Sequence, residues 1–145
     1  GRSLVNDAVL GRRSLSLMVI DIDKLGAFNE RHGHAAGDEV LRVVAARIRS
    51  AARVRDLPAR LGGDEFVVLA HGIADEPTAR AAGTRLHDAV TGPVEVARGA
   101  VVEVGASVGV AFTRAPCSAD ELIARADAAL YEAKRGRGRV VVDSG

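Results

Sequence analysis

The sequence of 145 residues has few aromatic side chains, one cysteine and almost no net charge. Because aromatic residues make up only 3% of the chain, the core must be built from the Val, Ala, Leu and Ile within its 48% of apolar residues. A single cysteine, Cys117, excludes an internal disulfide and fits a reducing compartment. The net charge of +1 predicts neither a nucleic-acid-binding protein nor a disordered tail.

Long apolar segments are also missing. No apolar run approaches the ~18 residues of a membrane span, and no signal peptide is recognisable. We therefore expect a cytoplasmic domain without direct membrane contact, although the chain that carries it could be anchored elsewhere. The length predicts a single domain over residues 1–145. Because the sequence begins at Gly1 without an initiator Met, we expect it to be a fragment of a longer multidomain protein.

The apolar pattern predicts ten elements in the order β-α-α-β-β-α-β-β-α-β. Helices are predicted over 24–31 and 36–52, after a cap at Asp75, and after a Ser118 capping box. Strands are predicted at 16–21, 57–61, 66–69, 94–96, 101–110 and 140–142. This order predicts an α+β, ferredoxin-like sandwich, with a central, mostly antiparallel sheet flanked by helices.

The most informative segment runs from Arg60 to Leu69. Two glycines, Gly62 and Gly63, are followed at once by Asp64 and Glu65 and then by an apolar run. This pattern predicts a β-hairpin whose turn holds the glycines and the acids. Glycines permit positive φ and let a bulky ligand approach the backbone.

A second acidic pair ends the first predicted strand. Strand alternation places Asp21 and Asp23 on one face, with Ile22 on the other. In the predicted sheet, this strand end and the hairpin tip lie side by side, so the pair approaches Asp64 and Glu65. Converging carboxylates form an oxygen site for a hard cation such as Mg²⁺ or Mn²⁺ next to phosphate. Alone, Asp-x-Asp is weak evidence, because acids at strand ends are ordinary.

Several motifs in order resemble the GGDEF domain of diguanylate cyclases over residues 15–142. They are Asp21-Ile22-Asp23, Asn29, Gly33-His34, Gly37-Asp38, Arg53-x-x-Asp56, Gly62-Gly63-Asp64-Glu65-Phe66, Ser107-Val108-Gly109 and the run from Ala126 to Lys134. The resemblance implies a polymerase-palm-like fold and an enzyme that condenses two GTP into cyclic di-GMP and two pyrophosphates. In such an enzyme two domains form an antiparallel homodimer, and each 3′-hydroxyl attacks the α-phosphate of the other GTP.

The resemblance also implies roles for single residues. Asp21, the Ile22 carbonyl and Asp64 match the metal ligands, with two Mg²⁺ or Mn²⁺ ions expected per active site, and Asp64 and Glu65 match the catalytic acids. The substrate-binding positions are Asn29, Asp38, Gly62, Gly63, Lys134 and Arg137. The interpretation of Asp38 as a helix cap remains open, as does that of the basic run from Lys134 to Arg139 as a solvated tail.

Arg53 and Asp56 resemble the inhibitory site for the product, with Arg85 as an additional ligand from a neighbouring domain. A surface ion pair is the alternative interpretation of such a short pattern. Tyr131, Met18 and Phe66 are expected in the core.

Three departures from the family pattern favour an alternative function. Gly26 occupies a position that is often Lys, the basic segment after Lys134 is one residue shorter than usual, and most of the usual N-terminal motif is missing. A catalytically weak or inactive domain that binds GTP or cyclic di-GMP as a regulatory module is therefore the second hypothesis.

Overall fold

The computed structural model describes residues 14–114, 117–136 and 139–143, without the side chain of Arg98. Its strands are β1 Leu15–Ile22, β2 Leu57–Gly62, β3 Glu65–His71, β4 Gly92–Glu95, β5 Val101–Val104, β6 Ala106–Thr113 and β7 Val140–Asp143. Its α-helices are α1 Leu25–His32, α2 His34–Ala51, α3 Glu76–Val90 and α4 Ala119–Arg135, and a 3-10 turn spans Ala97–Gly99.

Strand β1 is the centre of a five-stranded sheet with the order β2-β3-β1-β6-β7. It pairs antiparallel with β3 and with β6, whereas β6 and β7 are parallel. Strands β4 and β5 form a separate two-stranded sheet. The prediction of a mostly antiparallel sheet flanked by helices is confirmed.

Both faces of β1 are buried, and its successive side chains alternate between them. Met18, Ile20 and Ile22 pack in one core cluster with residues of α1, α2 and α3. Leu17 and Val19 belong to a second cluster with residues of α4. Asp21 continues the odd-numbered series, so its side chain lies on the α4 side of the sheet.

Two helices begin at the caps that the sequence predicts. The Asp75 carboxylate accepts from the Thr78 N–H at 2.8 Å, and the Ser118 hydroxyl accepts from the Glu121 N–H at 3.0 Å. Helix α2 differs, because Gly33 occupies its N-cap with a φ of 90° and no side chain caps it. The alternative role of Asp38 as a cap is therefore wrong.

The single strand predicted over 101–110 is wrong. The chain turns at Gly105, so β5 pairs with β4 while β6 joins the main sheet. The Gly105 carbonyl accepts from the Asp23 N–H at 2.9 Å, and a Cβ at Gly105 would lie 3.3 Å from the Asp23 carboxylate. A contact between segments so distant in sequence leaves no local pattern.

Helix α4 lies directly on β6 because Gly109 has no side chain. A Cβ there would lie 2.5 Å from the Ala126 carbonyl oxygen and 2.7 Å from the Leu130 Cα. Tyr131 is on the outer side of α4 and is 66% exposed, so its expected core position is wrong. Met18 and Phe66 are buried, as predicted.

Among the described residues, the helices are too short or too polar to cross a lipid bilayer.

Candidate active site

The acids of β1 and of the β2–β3 turn lie together at one end of the sheet. Asp21 is the register partner of Glu65, and the Ile22 N–H donates to the Asp64 carbonyl at 3.4 Å. The turn reverses through Gly62 and Gly63, with φ values of 143° and 53°. Both are backbone conformations that residues with side chains rarely adopt. The predicted proximity of the two acidic segments is therefore confirmed.

Arg60 braces this turn, and the sequence analysis assigned it no role. Its guanidinium donates to the Gly63 carbonyl through Nε, at 3.0 Å, and through a second nitrogen. The same guanidinium lies 5.8 Å from the centre of the Phe66 ring. A register shift between Arg60 and Gly62 interrupts the pairing of β2 with β3, as a β-bulge does, and leaves Leu61 exposed.

Asp21 has one paired carboxylate oxygen and one unpaired oxygen. Lys134 Nζ lies 3.0 Å from Asp21 Oδ2, whereas Oδ1 is buried and has no hydrogen-bond partner among the described residues. Desolvation raises the pKa of Asp21 above its ordinary value; Lys134 opposes this rise and the neighbouring Asp64 adds to it. The site therefore contains a carboxylate oxygen with no compensating proton donor.

Glu65 lies near three further acids. Desolvation is the main cause that raises its pKa, and repulsion from Asp127, Asp21 and Asp64 adds to it. Partial desolvation also raises the pKa of Asp127 on α4. The sequence analysis quoted Asp127 only as part of a motif. Asp127 and Lys134 are seven residues apart, which is about two helical turns, and this spacing predicts that both lie on one face of the helix.

Asp23 is held on three sides. The buried Ser107 hydroxyl donates to Asp23 Oδ1 at 2.8 Å, and Lys134 Nζ lies 3.7 Å from the same oxygen. The third contact is the bond from its backbone N–H to the Gly105 carbonyl. The Asp23 side chain therefore contacts Ser107 and Lys134 rather than extending freely into the site.

The oxygen donors of this site fit a hard cation whose coordination shell is completed by oxygens from a bound ligand and water. Among the described residues, no three His, Cys, Asp or Glu side chains form a group that could hold a metal. Asp21 and Asp64 would supply two carboxylates and Ile22 a carbonyl, so phosphate and water oxygens would complete the shell. The orphaned Asp21 Oδ1 is the observation that supports this fit, because a buried carboxylate oxygen without a partner favours a cation.

A groove of about 480 Å³ lies between α2 and the β2–β3 hairpin. Asp38 and Leu41 line it from α2, and Arg60 and Phe66 line it from the hairpin. Asn29 is on α1, with its carboxamide against Gly37, the residue that precedes Asp38. The volume is in the range of small-molecule sites.

Arg53, Asp56 and Arg85 line a separate cavity with His71 and Thr78. Asp56 Oδ2 accepts from the Arg53 backbone N–H at 2.9 Å. This bond, rather than the ion pair between side chains that was the alternative interpretation, holds the turn. The Arg85 guanidinium donates to the Ala51 carbonyl at 2.6 Å. The chain's own Arg85 thus lies beside Arg53.

Arg137, the remaining predicted substrate residue, lies outside the described residues, as does the N-terminal segment before residue 14.

Comparison with known proteins shows which family the chain resembles. The family model described as "Diguanylate cyclase, GGDEF domain" matches residues 2–139. The response regulator PleD of Caulobacter vibrioides is 43% identical over 143 residues, which cover 96% of this chain and 31% of PleD. The diguanylate cyclase TpbB of Pseudomonas aeruginosa is 39% identical, over 90% of this chain and 30% of TpbB. The chain thus spans less than a third of either relative.

A solved structure agrees with these sequence matches. The isolated GGDEF domain of TpbB superposes with a TM-score of 0.87 at 36% identity, and covers 99% of this chain and 84% of that one. The similarity therefore extends over the whole fold.

The contact between Ser107 and Asp23 leads to a stability prediction. Ser107→Ala removes a donor to a charged group and should lower the free energy of unfolding by about 1–3 kcal/mol. Urea denaturation of the variant and the parent measures this difference.

Ser16→Ala is the matched control. Ser16 is also fully buried, but its hydroxyl has no partner among the described residues. Its removal should leave the stability unchanged or raise it. Equal losses for the two variants would contradict the role assigned to the Ser107 bond.

Proposed function

The chain belongs to the GGDEF domain family, and from this we propose that it is a diguanylate cyclase that condenses two GTP into cyclic di-GMP. The observation that supports this most directly is the acidic end of the sheet, where Asp21, Asp64 and Glu65 lie around one unpaired carboxylate oxygen. The solved GGDEF domain of DgcB from Caulobacter crescentus, which is in complex with cyclic di-GMP, shares 31% identity and a TM-score of 0.83 with this chain. The match covers 97% of this chain and 84% of the DgcB chain.

Asp21, Asp64 and the Ile22 carbonyl would hold Mg²⁺ or Mn²⁺, with two ions expected in each site. When bound, such ions neutralise phosphoryl oxygens and lower the pKa of an attacking hydroxyl. Gly62 and Gly63 leave open space above the turn, since a Cβ on either would meet no atom within 4 Å. The triphosphate can therefore approach the backbone closely.

Glu65 is the proposed proton acceptor for the 3′-hydroxyl. Its pKa is raised by desolvation and by neighbouring acids, and a base whose pKa lies nearer to neutrality accepts a proton more effectively. The hydroxyl belongs to the GTP of a second domain, so we propose that catalysis requires a homodimer.

Lys134 would exchange partners when the nucleotide binds. Its ammonium lies 3.0 Å from Asp21 and 3.7 Å from Asp23. With the triphosphate present, Lys134 would bind phosphate oxygens together with Arg137 and release Asp21 to the metal.

Asn29 and Asp38 are the proposed readers of guanine. A carboxylate can accept from guanine N1–H and N2–H, and a carboxamide can both donate and accept. Asp38 lines the groove beside the hairpin, on the side of the sheet where Phe66 is buried.

Product inhibition would act through the cavity of Arg53, Asp56 and Arg85. Arg53 and Asp56 form a closed turn, because the Arg53 N–H donates to the Asp56 carboxylate and the Asp56 N–H donates to the Arg53 carbonyl at 3.0 Å. The side chain of Arg53 is thus available to bind and stack on a guanine of cyclic di-GMP.

Asp64→Asn should abolish formation of cyclic di-GMP from GTP and Mg²⁺. Even indirect partners of a metal change activity by 10–100-fold, so loss of a direct ligand should cost at least about 100-fold. Chromatographic quantification of the product measures this, with Glu95→Gln, a change at an exposed residue of β4, as the control.

Unchanged product formation by Asp64→Asn would contradict the assigned role. Tight binding of cyclic di-GMP by the parent protein without any turnover, at high protein concentration, would favour the regulatory module instead.

Lys134→Gln should change two affinities in opposite directions. Without nucleotide, Mg²⁺ should bind up to about fivefold more tightly, because a partly exposed ion pair that competes for Asp21 is gone. GTP should bind about tenfold more weakly, because a charge-assisted hydrogen bond to phosphate is lost. Calorimetric titrations with Mg²⁺ and with a non-hydrolysable GTP analogue test both signs, and a parallel change in the two would argue against the exchange.

Arg53→Ala should raise the concentration of cyclic di-GMP that halves the activity by about tenfold, through loss of hydrogen bonds to the product. Basal turnover should stay unchanged. Arg80→Ala, which removes an exposed arginine paired with Glu76 on α3, is the control. An inhibition constant that does not move would exclude this cavity as the inhibitory site.

A further inference from the structure

Gly37 lies in α2 at the point where the side chain of Asn29 packs against the helix. A Cβ placed on Gly37 would overlap Asn29 Oδ1 and would lie 2.8 Å from Cγ and 3.2 Å from Nδ2. The three nearest atoms to that Cβ therefore all belong to the Asn29 carboxamide. The helix is open at this point for one particular side chain.

The glycine is not required by the backbone. Gly37 is a buried residue in the first half of an α-helix and is not among the positive-φ glycines. Glycine is less favourable than alanine in the interior of a helix. The space that glycine leaves for the Asn29 carboxamide therefore offsets this cost.

The carboxamide of Asn29 packs directly on Gly37. Asn29 Oδ1 is buried and has no hydrogen-bond partner among the described residues. The backbone of Asn29 is fixed separately, because its carbonyl accepts from the Gly33 N–H at 2.7 Å. The side-chain orientation thus depends on the space above Gly37.

We propose that Gly37 is a positioning residue that sets the carboxamide of Asn29 for recognition of the guanine base. This inference rests on the proposed function and deepens it. Gly37 directly precedes Asp38, which lines the groove between α2 and the β2–β3 hairpin. One turn of α2 thereby fixes the position of Asn29 and supplies Asp38.

A double-mutant cycle in the intact chain tests this role. The four proteins are the parent, Gly37→Ala, Asn29→Ala and the variant with both changes, titrated calorimetrically with a non-hydrolysable GTP analogue and Mg²⁺. Each single change should weaken binding about tenfold, since a hydrogen-bonding side chain is displaced or removed. The double variant should bind no more weakly than Asn29→Ala, because no carboxamide is left to displace.

A merely structural role for Gly37 predicts a different result. In that case the two losses multiply, and the double variant binds about 100-fold more weakly than the parent. Multiplying losses, with binding by the parent intact, would overturn the positioning role alone. Failure of the parent to bind the GTP analogue would overturn the proposed function and this role together.

Thermal unfolding without nucleotide tests the contact itself. Gly37→Ala should lower the unfolding midpoint when Asn29 is present. It should leave the midpoint unchanged or raise it in the Asn29→Ala background, where the added methyl group meets no carboxamide. Equal decreases in both backgrounds would refute the steric contact even if nucleotide binding behaved as expected.

Discussion

The burial of strand β1 determines where the acids of the site lie. β1 pairs with β3 on one edge and with β6 on the other, and its two faces contact different core clusters. A shift of one residue in this register would move the whole apolar set to the wrong face, so the register is strongly specified. Asp21 is therefore held opposite Glu65 and beneath α4, in reach of Lys134.

The same end of the sheet carries more negative than positive charge. Asp21, Asp64, Glu65 and Asp127 interact there, and among the described residues Lys134 is the cation that opposes the pKa shifts of both Asp21 and Glu65. Raised carboxylate pKa values mean that the ionised site is less favourable folded than unfolded, so this cluster lowers stability as the pH rises through these values. A cation bound between the carboxylates and a triphosphate would relieve that cost, which is why the charge imbalance favours ligand binding over a purely structural role.

Local patterns were sufficient to predict most of the fold. The caps at Asp75 and Ser118 are interactions within a few residues, and the alternation along β1 follows from strand geometry. The meeting of Asp21 with the Gly-Gly-Asp-Glu turn could also be predicted, because the antiparallel pairing of β1 with β3 brings the end of β1 to the start of β3. The roles of these residues in binding and catalysis remain predictions.

The features that the sequence did not reveal depend on contacts between distant segments. Ser107 and Asp23 are 84 residues apart, and nothing near either residue indicates their bond. The close approach of α4 at Gly109 likewise arises where another segment occupies the space of a Cβ, and the break at Gly105 lies where the Asp23 carboxylate crowds that space. Tyr131 was misplaced because aromatic character predicts burial only when the helix face is known, and the face of α4 that contacts β6 is set by Gly109 and not by the helix alone. The packing role of these glycines therefore becomes apparent only in the tertiary structure.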